Sequence, residues 1–429
     1  MAHAPVRSRR HDADMTDIAI PRRSLLAGLL AALAMFGPFC IDAIFPGFPA
    51  IAAQFSAGPL AMQQTISVYL IAYAAMSLLL GALSDAWGRR VVILGGVAVF
   101  LVASIGCALA QSMPMLLAFR ALQGACAGVG LIVGRAVVRD CYEGAAAQKL
   151  MAQVSMIFGV APAAAPVVGA WLVALGGWHA LFWALSVFTA MLLALCVVVL
   201  PETHPADRRV PLSPRGLFTT YREIITDRQF LPLALTLTFS VSGLLLYVTN
   251  APAFVLGALH LTTNDFPWLF VPAISGLVLG STLAARLAGR VNARVLLGVG
   301  YTIMLVAAVA GVLIAWQVVP ARVPWAVLPL ALGAIGINLI APTINLLVLD
   351  RFPRHRGAAS SVQAFVTLSC YAVLAGALGP WLGASALRFA LAALALYVGG
   401  FISWRWYRTI AKREPPAGTL ERELLEGPA

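Results

Sequence analysis

Twelve stretches of this chain stay apolar for roughly the 20 residues that a helix needs to cross a bilayer. They lie at 24–46, 62–83, 91–111, 115–138, 152–175, 179–200, 231–255, 267–288, 294–316, 325–349, 359–382 and 386–407. No other feature constrains the fold as much. In hydrocarbon every backbone N–H and C=O must find a partner inside the protein, which leaves helices or a closed barrel. Barrel strands alternate over ~10 residues, whereas these runs are longer and do not alternate. Composition agrees, with 61% of the 429 residues hydrophobic and 11% charged, against roughly 45–50% and 25% in soluble domains. Twelve spans use about 240 residues and leave about 15 for each tail and loop. A folded extramembrane domain has no room. The expected fold class is an all-α membrane protein with twelve transmembrane helices in two pseudo-symmetric six-helix bundles.

The expected organisation is a tail at 1–23, a bundle at 24–200, a polar linker at 201–230, a second bundle at 231–407 and a tail at 408–429. Six plus six around a linker points to an internal duplication, and transporters built this way hold substrate near the midplane between the halves. The net charge of +12 would raise nucleic acid as a partner in a soluble protein; here it reads as topology. If twelve helices alternate, 25 of the 29 Lys and Arg fall on one side. The other side keeps Arg322 and Arg388, and Arg120 and Arg135 lie inside span 4. The positive-inside bias then puts both termini in the cytoplasm. Arg22-Arg23 ahead of an apolar run resembles a twin-arginine or secretory signal. The run continues to Asp42 and Pro46, however, and eleven spans follow, so it reads as a retained first helix. The six cysteines form no C-x-x-C and the six histidines no H-x-x-x-H. Neither a disulfide framework nor a metal site is expected.

Asp42 is the only carboxylate inside a predicted span. An aspartate at the bilayer centre costs ~3 kcal/mol on insertion scales, so such a residue is a functional candidate by default. Pro46 has no N–H, so the Asp42 carbonyl loses its helical partner. A broken helix end of this kind is tolerated where it faces a cavity. Arg120, on span 4, is expected at the same depth and is the natural partner. Burial favours a neutral carboxyl and a nearby guanidinium favours the ionised form, so proton binding would weaken the pair. Around this site the three- and four-residue spacing offers Phe39 and Phe45 on span 1 and Tyr69 and Tyr73 on span 2. Gln123 lies on span 4, Tyr247, Asn250 and Phe254 on span 7, Asn338 and Asn345 on span 10 and Gln363 on span 11. Aromatics with a few amides can line an adaptable apolar cavity. Gly124, Gly128, Gly130 and Gly134 let a neighbouring helix approach closely. Pro162, Pro166 and Gly169 would bend span 5 or ease its sliding.

Several motifs carry a resemblance. Gly81-Ala-Leu-Ser-Asp85-Ala-Trp-Gly88-Arg89-Arg90, between spans 2 and 3, resembles the G-x-x-x-D-x-x-G-R-R/K signature of the major facilitator superfamily. Arg120-Ala-Leu-Gln123-Gly124 resembles the family's R-x-x-Q-G motif. Ala165-Pro166-Val-Val-Gly169-Ala170 is a relaxed form of the antiporters' G-P-x-x-G-G. Ile41-Asp42-Ala-Ile-Phe45-Pro46, Arg139-Asp140, Leu349-Asp350-Arg351-Phe352-Pro353 and Gly357-Ala-Ala-Ser360-Ser361 are similar to bicyclomycin/chloramphenicol-resistance (Bcr/CflA-type) drug:proton antiporters. The resemblance implies a bacterial inner-membrane pump that exchanges a drug for protons. It also implies that Asp85 docks on the Gly357–Ser361 helix start when the inner gate closes, with Asp140 a candidate partner for Arg89. The second half has Arg286, Arg290 and Arg294 at the corresponding place and no acid, so the latch is expected to be one-sided.

The expected partners are a small-molecule substrate, protons and the lipid bilayer, with no nucleic acid, no ATP, no cofactor beyond the proton gradient, and a monomeric state. The nearest alternative keeps the fold and changes the cargo to a metabolite such as an amino acid or sugar. An enzyme would need paired acids, a His cluster or a nucleophile–base pair at one depth. A sensor would need an output domain. The sequence offers neither, nor a nucleotide-binding Gly-rich loop.

Overall fold

The computed structural model describes residues 23–142, 144–209, 211–287, 290–316, 323–353, 355–382 and 385–413. Residues 1–22 and 414–429 of the expected tails therefore lie outside the described residues, as does the Pro162 side chain. Within them, eleven helical segments are long and apolar enough to cross a membrane. One belongs to a 56-residue helix, Gly144–Val199, which Gly176 and Gly177 interrupt with backbone angles of φ −157°, ψ 27° and φ 69°, ψ −176°. The second pair of angles suits glycine alone. The break turns one helix into two at the place where the sequence separates spans 5 and 6, so twelve membrane helices result.

These are α1 (Arg23–Asp42), α2 (Pro59–Trp87), α3 (Arg89–Ala108), α4 (Met113–Cys141), α5 (144–175) and α6 (178–199). The second set is α7 (Phe230–Thr249), α8 (Pro267–Leu287), α9 (Ala293–Ala315), α10 (Leu328–Arg351), α11 (Arg356–Val373) and α12 (Ala386–Ala411). Pro59, Pro114 and Pro329 stand in the first turns of α2, α4 and α10, where a missing N–H is no loss. Val102, Trp171, Val198, Val306 and Ile402 are exposed on the outside of the bundle. Apolar surface of that extent belongs against lipid.

Within the first half α4 packs on α2 and α3, and α1 on the α5–α6 pair; within the second α12 packs on α7 and α9, and α10 on α8 and α9. The halves meet along α2–α11 and where α8 touches the α5–α6 pair. Small residues set these distances. A Cβ on Gly130 would collide with the Leu33 carbonyl, and one on Gly124 with the Tyr69 backbone, so α4 lies close against α1 and α2.

Two helices break before their predicted ends, and a third is distorted, all at the end of the bundle remote from the linker. Span 1, expected to 46, leaves the helix at Asp42, makes a tight turn at Phe45–Gly47 and resumes as Phe48–Phe55. Span 7, expected to 255, stops at Thr249 and widens into a π-helical turn at Ala253–Ala258. Span 11 widens into a π-helical turn at Leu374–Leu378 without stopping, and runs on as helix to its expected end at Leu382. Pro46, Pro49 and Pro252 remove N–H donors there, and hydropathy does not register such breaks.

The linker is more than a polar tether. It contains a helix, Pro214–Thr226, capped by Ser213, which accepts from the Gly216 N–H at 3.1 Å. Tyr221 donates its hydroxyl to the Leu78 carbonyl of α2, and Asp227 pairs with Arg351 of α10 at 2.9 Å. Both halves therefore hold the linker.

Candidate functional site

Asp42 ends α1 and is buried, 4% exposed. The break at its position leaves the following carbonyl, that of Ala43, against Gly169 of α5, where any Cβ would collide. The glycine of the antiporter-like motif thus lets α5 close on the α1 break. Pro166 lies buried one turn earlier on the same helix.

Arg120 is fully buried. Its Nη1 donates to the Cys40 carbonyl at 3.3 Å and to Gln123 Oε1 at 3.0 Å, and its Nε to the Thr65 carbonyl at 3.2 Å. The guanidinium stacks over the Tyr69 ring at 4.4 Å. Gln123 passes the network on, donating to Ser104 at 2.9 Å, and Tyr69 donates to the Gly37 carbonyl at 2.8 Å. Arg120 thus reaches α1 at Cys40, two residues before Asp42. The expected direct ion pair is absent among the described residues: Arg120 is held by carbonyls, the Cys40 sulfur, an amide and a ring. Its Nη2 has no hydrogen-bond partner.

At the linker end the α2–α3 turn forms a charged cluster. Gly88 takes φ 98°, a conformation that favours glycine. Arg89 is 10% exposed and bonds Asp85, Ser84 (2.7 Å) and Asp140 (3.2 Å), while Arg90 donates to the Val197 carbonyl at 2.7 Å. Two residues that sequence reading did not single out complete the cluster. Glu202 accepts from the Arg89 N–H at 2.9 Å, and Thr203 donates to Asp140 at 2.9 Å. Glu202 thereby places a carboxylate at the start of α3, where a helix favours negative charge. Asp85 is 49% exposed and bonds Arg89, not the start of α11, whose Gly357 is exposed. The docked arrangement implied by the resemblance is therefore not the one seen. Gly81 faces open space.

The aromatic and amide candidates separate into distinct places. Tyr73 packs on Gly128, inside the first half. Phe39 is half-buried against the hydrophobic core. Phe45 is fully buried at the remote end and stacks on Phe266 (6.3 Å) and Phe270 (6.4 Å) of the second half. It forms a seam between halves, with Gln63 and Ser67 of α2 set close to Gly379 and Gly376 beyond α11. Tyr247 and Phe254 cluster with Phe389 of α12. Asn250 donates to the Leu246 carbonyl at 2.9 Å and to that of Leu374 at 3.4 Å. Gln363 donates to Ala234, Thr238 and Thr367 between α7 and α11. Asn338 turns to α8, donating to the Leu277 carbonyl and Ser281 at 2.8 Å each, and Asn345 is exposed. Gln63, Asn250 and Gln363 each keep a buried side-chain oxygen with no partner.

The profile of the Major Facilitator Superfamily matches residues 25–380. An "Uncharacterized MFS-type transporter YdgK" of Bacillus subtilis is 30% identical over 350 residues, covering 81% of this chain and 86% of that protein. A "Bicyclomycin resistance protein homolog" of Haemophilus influenzae is 26% identical over 349 residues, covering 80% and 86%. The "Multidrug transporter MdfA" of Yersinia pestis is 29% identical over 358 residues, covering 82% and 85%. Among solved structures, a bacterial homologue of the human lysosomal transporter Spinster, inward-facing and occupied, aligns with a TM-score of 0.66 at 18% identity, over 92% of this chain and 97% of that one. The likeness to solved structures is one of fold.

Proposed function

Because this chain belongs to the Major Facilitator Superfamily, a family of transporters and not of enzymes, we propose that it exports small lipophilic, drug-like compounds in exchange for protons. The named relatives include a bicyclomycin resistance homologue and a multidrug transporter, and the Bcr/CflA-type motifs agree with them. The observation that carries the proton is the position of Asp42: a buried carboxyl at a helix break, with the buried Arg120 cation beside it. When protonated, Asp42 asks nothing of the guanidinium. When ionised, it seeks a donor, and the unpartnered Nη2 of Arg120 is the one on offer. Loading and release of the proton would then alter how α1 and α4 hold each other. The motion would be alternating access of the 24–200 and 231–407 bundles about a central site.

The charge distribution supports an orientation with the linker and both termini in the cytoplasm of a bacterial inner membrane. The charged α2–α3 cluster then serves as the cytoplasmic gate and the Phe45 seam as the periplasmic one. The chain works as a monomer and needs only the proton gradient. The test is expression in a pump-deficient bacterium challenged with bicyclomycin, chloramphenicol and a panel of cationic and neutral drugs. Raised resistance that collapses with an uncoupler is the expected result. An unchanged panel, with uptake of an amino acid or sugar instead, would reassign the cargo.

A further inference from the structure

Where α9 and α12 meet near the linker end, their side chains leave a groove of about 380 Å³. One face of each helix lines it, at three- and four-residue spacing. Leu297 and Tyr301 come from α9, and Phe401 and Trp404 from α12. Gly298 leaves its floor open, since a Cβ there would meet nothing within 4 Å. Three guanidiniums, those of Arg294, Arg405 and Arg408, stand at the same site. Among the described residues none of the three pairs with an acid. Arg408 has its Nε buried with no hydrogen-bond partner and feels like charge from the other two. Outside the groove both helices present apolar side chains, Val295, Val299 and Val306 on one and Val398 and Ile402 on the other, so it opens towards lipid.

Like charges held together beside an apolar wall need an anion that also has an apolar body. We infer that this groove binds an anionic phospholipid of the leaflet at the linker end. The lipid's phosphodiester takes the free guanidinium donors, and an acyl chain lies along Leu297, Tyr301 and Phe401. Arginine suits phosphate through its forked donors, and basic pockets between membrane helices on the cytoplasmic side hold such headgroups. Free phosphate would satisfy the charges and leave the aromatic wall unused. The site lies on the outer flank of the second bundle and does not depend on what the protein transports.

Native mass spectrometry of the purified full chain tests this, with phosphatidylglycerol, phosphatidylcholine and inorganic phosphate as probes. Phosphatidylglycerol should be retained, phosphatidylcholine should be stripped, and inorganic phosphate should not displace the bound lipid. The triple variant Arg294→Gln, Arg405→Gln, Arg408→Gln should lose roughly 100-fold in affinity, about fivefold per arginine. Gly298→Leu keeps all three charges, fills the groove and should also lose most of the retention, which guards against a triple variant that inserts poorly. Equal retention of the two lipids, or retention unchanged in Gly298→Leu, overturns the proposal. Displacement by inorganic phosphate makes this a free-anion site and overturns the lipid. Phosphatidylglycerol taken up by a variant with Glu414, Glu421, Glu423 and Glu426 changed to Gln, but not by the wild type, gives the groove to the chain's own tail and overturns the lipid.

Discussion

The two halves of this molecule share a helix order and differ in where they keep charge. The first buries Arg120 beside Asp42 and gathers Asp85, Arg89, Asp140 and Glu202 at its α2–α3 turn. At the corresponding α8–α9 turn the second has Arg286, Arg290 and Arg294 and no acid. Its interior uses uncharged groups: Gln363, Thr238 and Thr367 bond across α7 and α11, and Ser242 approaches Cys370 at 3.4 Å. An ionisable group in a membrane is expensive, so the proposed proton-driven change would act in the half that buries Asp42 and Arg120. The other half can present a surface that does not alter with the proton.

If that division is right, the largest effect comes from Asp42→Asn. The amide is cheaper to bury than the charge, so the variant should insert, yet uphill export should vanish. Gln363→Ala, in the second half, should shift drug affinity and leave export coupled. Drug-induced proton release in proteoliposomes reads both. Release persisting in Asp42→Asn would move the coupling to Asp85 or Asp140 and break the comparison.

Arg120→Leu comes next, on stability. Removing a buried cation that two carbonyls, an amide and a ring hold should cost about 3 kcal/mol or more, seen as a lower unfolding temperature in detergent. A variant as stable as wild type would mean that the network contributes little. Gly130→Ala should follow at about 1–3 kcal/mol, because its Cβ meets the Leu33 backbone. Gly298→Ala in the second half, with open space, should be neutral or gain up to about 1 kcal/mol. Equal losses at the two glycines would erase the contrast.

The smallest effect expected is at the charged turn. Asp85→Asn should reduce transport about tenfold, the size of an ordinary coupling free energy, and increase labelling of cavity cysteines from the cytoplasm. Arg290→Gln, at the matching turn, should stay within about twofold. Reporter fusions at residue 215 and at the C-terminus, both reading cytoplasm, fix which membrane face these turns occupy.

Helix number and order could be read from the sequence because apolar length and turn residues are local properties. The break between α5 and α6 falls at a Gly-Gly pair that interrupts the hydropathy. Breaks at Asp42 and Asn250, and the π-helical widening after Val373, are harder to read, since hydropathy runs straight through them and only Pro46 signals one. Asp42 and Arg120 stood out because a charge in an apolar run has few explanations. Their failure to pair directly was hidden, because it depends on Cys40 and Thr65 offering carbonyls and Tyr69 its ring. Glu202 lies 113 residues from Arg89, and Phe45 meets Phe266 from the other half. Spacing along one helix says nothing about either contact. A lone acid next to the end of span 6, within reach of an arginine turn, was the available clue to Glu202.

The two ends of the bundle carry contacts of different kinds. Stacked rings at Phe45, Phe266 and Phe270 respond little to ionic strength, whereas the Arg89 cluster at the opposite end includes half-exposed Asp85, which mobile ions reach and screen. Added salt should therefore loosen one end and spare the other. Cooling should do the reverse, because apolar contacts weaken in the cold. The balance between the protein's two faces is thus set partly by the solution around it.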